Sequence, residues 1–175
     1  ARFVDLYDAF SPRVYVYCRR RATADVADEV VAETFLVAWR KIDMVPEGSE
    51  ALPWLYGVAF RVLGNQWRGM SRRKRLARKL SSVGHQPPLP PHEVIVARAE
   101  STQVMKALAS LSRTDQEILL LTAWEELPQA DVASVLDISI GAVRQRLYQA
   151  KKNLAVAYDR QDHSEIPTAK KGGAR

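Results

Sequence analysis

The sequence predicts an all-α protein, two small helical domains joined by a proline-rich linker, the second containing a helix-turn-helix. Three observations lead there. Apolar residues recur at three- and four-residue spacing along nearly all of the 175 residues, and no alternating run suggests a strand. Four of the nine prolines fall between Pro87 and Pro91, behind Ser81-Ser82-Val83-Gly84, where a helix cannot continue and an extended spacer is expected. Near the end, two short helical stretches are separated only by Asp137-Ile138-Ser139. The expected division is a first domain over residues 1–80, a linker over 81–93, a second domain over 94–160, and a disordered tail over 161–175.

Each element has a local reason. Phe3, Leu6, Tyr7 and Phe10 share one face of an opening helix. Ser11-Pro12 reads as an N-cap followed by proline at the first helical position, which predicts a second helix carrying Val14 and Tyr17. Thr23 is placed to cap a third over residues 24–42, with Asp25, Asp28 and Glu29 near its positive end. Val30, Phe35, Ala38, Trp39 and Ile42 form its expected inward stripe. A loop over 43–52 contains Pro46 and Gly48, and Pro53 opens a helix with Leu55, Val58, Ala59, Val62 and Leu63. Beyond the linker, a helix over 94–111 carries Val104, Ala107, Leu108 and Leu111. Ser112 to Asp115 then form a turn that caps residues 116–124, and the last two helices span 129–136 and 140 to about 158.

Composition narrows the function classes. An apolar share of 47% excludes wholesale disorder, and no apolar run reaches the roughly 20 residues of a membrane helix. The first residues show no charged-then-apolar leader, so a cytoplasmic protein is expected. Cys18 is alone and cannot form an intrachain disulfide, which suits a reducing compartment. The three histidines, His85, His92 and His163, lie in loop-like sequence. No metal site, cofactor or catalytic constellation is therefore expected, and the chain reads as a non-enzyme.

The net charge of +6 is an average over segments of opposite sign. Residues 25–50 contain seven acids against Arg40 and Lys41, whereas residues 61–79 contain eight bases and no acid. A like-charge block repels itself unless a polyanion neutralises it, so Arg61, Arg68, Arg72, Arg73 and Arg75 mark either a phosphate-binding surface or a solvated face.

The most specific pattern lies in residues 127–154. Ala133 is small where two helices cross, and Asp137 occupies the turn position that requires φ > 0. Leu136, Ile138, Val143 and Leu147 supply the apolar wedge. The second helix opens at Ser139 and presents Arg144, Gln145, Arg146 and Gln149 outward, the layout of a recognition helix in a major groove. Arginine reads guanine and glutamine reads adenine bidentately, and a helix N-terminus holds phosphate. The bland counterpart is a helical hairpin with basic surface residues.

Several motifs in fixed order are similar to those of bacterial extracytoplasmic-function (ECF) sigma factors, the minimal two-domain specificity subunits of RNA polymerase. They are Leu6-Tyr7-Asp8-Ala9-Phe10, the run Ala27-Asp28-Glu29-Val30-Val31-Ala32-Glu33-Thr34-Phe35, the start Pro53-Trp54-Leu55-Tyr56-Gly57-Val58-Ala59, and the closing helix-turn-helix. The resemblance covers about residues 3–158. It implies that Asp28, Glu29, Glu33 and Thr34 dock on core polymerase, and that the 43–52 loop holds an unstacked base of the promoter's −10 element. It further implies that Arg61, Asn65, Arg68, Arg72, Arg73 and Arg75 bind the −10 strand and adjacent duplex. Ser139, Ala142, Arg144, Gln145, Arg146 and Gln149 would then read the −35 element, and an anti-sigma factor would be a partner. Phe35 and Trp39 are expected in the core. Ala32, Phe60, Trp67 and Asp137 depart from common residues at their positions, and Trp67 has two readings, core aromatic or stacking platform for a base. The rival reading is a helix-turn-helix regulator with an unrelated helical sensor domain, which explains residues 127–158 but not the acidic and basic helices before them.

Overall fold

The computed structural model describes residues 2–80 and 103–164, and among these every regular element is helical. The expected linker over 81–93, the start of the helix expected from residue 94 and the last residues of the expected tail lie outside the described residues. In chain order the helices are α1 (Arg2–Arg19), α2 (Ala24–Arg40), α3 (Ala51–Leu80), α4 (Gln103–Ala109), α5 (Arg113–Ala123), α6 (Gln129–Leu136) and α7 (Ile140–Ser164). Two 3-10 turns, Ile42–Met44 and Gly48–Glu50, occupy much of the expected 43–52 loop.

The break expected at Ser11-Pro12 does not occur: α1 runs through Pro12 without interruption. Proline leaves the carbonyl of Asp8 without its helical partner, but Asp8 and Pro12 are both on the exposed side, where water serves that carbonyl. Phe3, Leu6, Phe10, Val14 and Tyr17 meanwhile keep one apolar stripe in phase across the proline, and packing of that stripe outweighs the local signal. Thr23 does occupy the N-cap of α2, yet its side chain makes no capping hydrogen bond. Helix α7 extends past the expected end near residue 158, to Ser164.

Helices α1, α2 and α3 pack on one another, and α4, α5 and α6 each pack on α7. The two groups are also joined: α3 lies directly on α6, and one continuous buried cluster includes Leu55, Leu63 and Trp67 together with Ile118, Leu121, Val132 and Val135. The two helices are close at Gly57, where a Cβ would stand in ordinary contact, 3.4 Å from the Val135 carbonyl oxygen. The helix-turn-helix forms as the sequence requires. Asp137 ends α6 with φ 54° and ψ 49°, in the left-handed region, and Ala133, Val143 and Leu147 are buried at the helix crossing.

Candidate nucleic-acid interface

Helix α2 presents its carboxylates outward: Asp28, Glu29 and Glu33 are exposed. Thr34, expected beside them as a polymerase contact, is not available. It is fully buried, and its hydroxyl donates to the Val30 carbonyl at 2.6 Å, so at this position the helix face turns inward. Trp39 corrects the expectation in the other direction. It was expected in the core, but it is 63% exposed and makes an edge contact with Phe3 at 5.2 Å, while Phe35 is buried as expected. Trp39 lies one turn beyond Phe35 on nearly the same face, past the edge of the core, where it meets Phe3 at the start of α1.

Between α2 and α3 runs a groove of about 1060 Å³, with Glu29 and Glu33 on one wall and Arg61 and Asn65 on the other. Residues separated in sequence as acidic and basic segments thus share one cleft. Gln66 crosses it, donating to Glu29 at 3.3 Å. Along α3, Arg61, Asn65, Arg68 and Arg72 are all exposed at intervals that keep them near one side of the helix, and Arg68 donates to the Asn65 side-chain oxygen. Arg73 and Arg75 continue the same helix, and their side chains lie outside those described.

On α7 the expected reading face is open to solvent: Arg144, Gln145, Arg146 and Gln149 are exposed and Ala142 is partly so. Ser139 caps the helix, its Oγ accepting the Ala142 N–H at 3.1 Å. The Arg144 Nε donates to the Gln129 side-chain oxygen at 3.1 Å, which ties this arginine to the start of α6. Tyr148, 72% exposed on the same helix, was not singled out from the sequence.

Sequence reasoning also missed a buried polar cluster where the two helical groups meet. Arg21, 2% exposed, donates from Nε to both carboxylate oxygens of Glu117 at 3.0 Å and from Nη1 to Glu125 at 3.0 Å. The Tyr17 hydroxyl donates to Glu117 at 2.9 Å, and Arg20 donates to Glu125 at 3.2 Å. Burial opposes the charge on Arg21, but Glu117, Tyr17 and Glu125 together hold it above the usual arginine range. Burial pushes the neighbouring Cys18 thiol up to about 12. The only hint in sequence is that Glu117 directly precedes the apolar run Ile118 to Leu121; its partner, 96 residues away, is not readable there. Trp67 is buried by the same meeting of domains, with the Arg113 guanidinium 3.5 Å over its ring.

Comparison with known proteins agrees with this layout. Residues 6–75 match the family described as Sigma-70 region 2, and residues 101–154 match Sigma-70, region 4. The chain belongs to the sigma-70 family, as an ECF sigma factor. It is 29% identical over 144 residues to the RNA polymerase sigma factor CnrH of Cupriavidus metallidurans, spanning 75% of this chain and 73% of that protein. It is 27% identical over 132 residues to the ECF RNA polymerase sigma factor EcfG of Rhodopseudomonas palustris, spanning 75% and 71%. Its fold is similar to that of the sigma factor RpoE of Bartonella quintana, solved in complex with the anti-sigma factor NepR, with a TM-score of 0.66, 21% identity and coverage of 90% and 96%. As a sigma factor it binds core RNA polymerase and directs promoter recognition and transcription initiation. The match over the first half decides against a regulator with an unrelated sensor domain. No helix among the described residues is long and apolar enough to cross a membrane, and no group of described residues could hold a metal ion.

Proposed function

We propose that this sigma factor divides its work between residues 1–80 and 94–160. The first domain docks on core polymerase through Asp28, Glu29 and Glu33 and captures the −10 strand along Arg61, Asn65, Arg68, Arg72, Arg73 and Arg75. The second reads the −35 duplex with Arg144, Gln145, Arg146 and Gln149, while Ser139 and the free N–H groups behind it hold a phosphate and Ala142 packs against a base edge. One observation carries this reading: a single chain presents exposed arginines on α3 and an exposed row of arginines and amides on α7, the two sets lying in segments matched to Sigma-70 region 2 and region 4 respectively. The exposed Trp39 extends the polymerase-docking face. An anti-sigma factor is the partner that silences it, an assignment supported by the similar RpoE seen with NepR. The protein performs no chemistry of its own, acts in the cytoplasm, and reaches the nucleoid through the polymerase.

Transcription in vitro with core polymerase on a promoter library tests the reading. Start sites that share two elements, the upstream one altered by Arg144→Ala, are the expected outcome. Failure to bind core polymerase would sink it.

A further inference from the structure

We propose that Gln129, at the start of α6, is a positioning residue for promoter recognition: it holds the Arg144 guanidinium in an orientation that reads guanine and so sharpens preference at a single base pair of the −35 element. The inference rests on the promoter reading above, in which Arg144 meets a base edge. The Gln129 side-chain oxygen accepts from the Arg144 Nε at 3.1 Å, across 15 residues of sequence and from one helix to the next. Both ends of this contact stand on rigid backbone. Pro128 precedes Gln129 with φ −62° and ψ 155°, and its carbonyl accepts the Asp131 and Val132 N–H groups at 2.9 and 3.0 Å, which closes the first turn of α6. Arg144 follows Val143, which is fully buried where the two helices cross. Gln149, in the same exposed row, is tied differently. It donates to Asn153 at 2.9 Å within α7 itself, a contact that does not fix it against α6.

The N–H groups of a guanidinium lie in one plane, so a hydrogen bond to one of them sets the direction of the others. With Nε engaged, the side edge that includes it is closed, and the end edge formed by the two Nη groups remains for a partner. Parallel donors on that edge match O6 and N7 of guanine, whereas adenine sets its N6 amine, itself a donor, against one of them. An arginine on an untethered stem can swing to a phosphate oxygen or a neighbouring base, and it loses more freedom when it does settle on a guanine. Gln129 is exposed and uncharged, so it acts through Arg144 without placing a charge of its own at the DNA surface.

Holoenzyme assembled with core polymerase and bound to promoters randomised over the −35 element tests this. Arg144→Ala first locates the base pair that Arg144 reads. Gln129→Ala and Gln129→Leu, which lack the acceptor, should lower the preference at that pair roughly two- to tenfold, the range for ordering one long side chain. Any pair whose preference depends on Arg146 should be unchanged. Gln129→Glu keeps an acceptor for Nε: it should bind every sequence more weakly because of its charge, yet retain the preference. In the Arg144→Ala background, Gln129→Ala should cost nothing further. Each preference is a ratio between sequences for one variant, so a change in folded fraction cancels. A direct hydrogen bond from Gln129 to a phosphate gives the opposite pattern, an equal loss on all sequences that persists without Arg144, and overturns the proposal. If Arg144→Ala flattens no position, base reading by Arg144 has failed and the proposal falls with it. A position flattened by Arg144→Ala but left sharp by Gln129→Leu removes the proposal alone.

Discussion

Helices α3 and α7 carry similar side chains in different situations. Each presents arginines and amides from an exposed face, but on α7 the row Arg144, Gln145, Arg146 and Gln149 is exposed throughout, whereas α3 has part of its length covered by the second domain. On α7, local geometry is enough: a capping serine, an aspartate with positive φ, and an apolar wedge aim the helix outward. On α3, availability depends on where the rest of the chain sits. Chemistry capable of binding DNA is therefore distinct from access to it, and the two helices separate these properties within one molecule.

The largest expected effect addresses the covered helix. Arg21→Ala leaves Glu117 and Glu125 buried without their main cation and should cost the docked arrangement about 3–5 kcal/mol. Calorimetry should show the single transition splitting in two, one per domain; a single unshifted transition would mean that the cluster does not couple them. Next, replacing Arg72, Arg73 and Arg75 by alanine should weaken binding on all sequences and lower the salt slope by about 2 for single strands or about 3 for duplex, read from affinities at several salt concentrations. The open helix should respond differently. Arg144→Ala or Arg146→Ala should cost about 1–3 kcal/mol on the preferred −35 sequence and little on others, so that promoter preference changes while the salt slope moves by no more than about 1.

The smallest effect at neutral pH concerns the buried contact again. The native Cys18 thiol is held at about 12 against an ordinary value of 9.0, by burial first, with Glu117 and Glu125 adding to it and Arg21 opposing. A group with a raised native pKa contributes stability that is complete below the unfolded value and lost as pH rises toward the native one. Unfolding titrations should show no Cys18 contribution to pH dependence at pH 7 and a loss between about pH 9 and 12 that Cys18→Ala reduces. Tyr17, raised by burial and by Glu117, and Tyr56, raised by burial first, add to the alkaline loss that remains in that variant.

The all-helical class, the helix-turn-helix with its Asp137 turn and the exposed reading row of α7 were all legible, because each depends on residues within a few turns of one another. Errors arose where distant packing overruled a local signal. Ser11-Pro12 carries a helix-start pattern, yet the stripe from Phe3 to Tyr17 stays in phase and the helix continues. Thr34 belongs to a motif of docking residues, but its place on α2 turns it inward, while Trp39, apolar and in phase by count, falls outside the packed area. The Arg21 cluster was illegible for a further reason: buried ion pairs leave no periodicity, and their members lie about a hundred residues apart.

By itself the sequence determined that the chain is helical, that two of its helices bear the basic and amide side chains suited to DNA, and that an acidic helix precedes them. Those are properties of near neighbours, governed by periodicity, capping and the sign of local charge. Only the tertiary structure decided that α3 lies on α6, that Trp67 is covered by Arg113, and that an arginine and two glutamates are buried together at the meeting of the domains. Burial and ion pairing are relations between segments, so their energies exist only once the chain has brought those segments together.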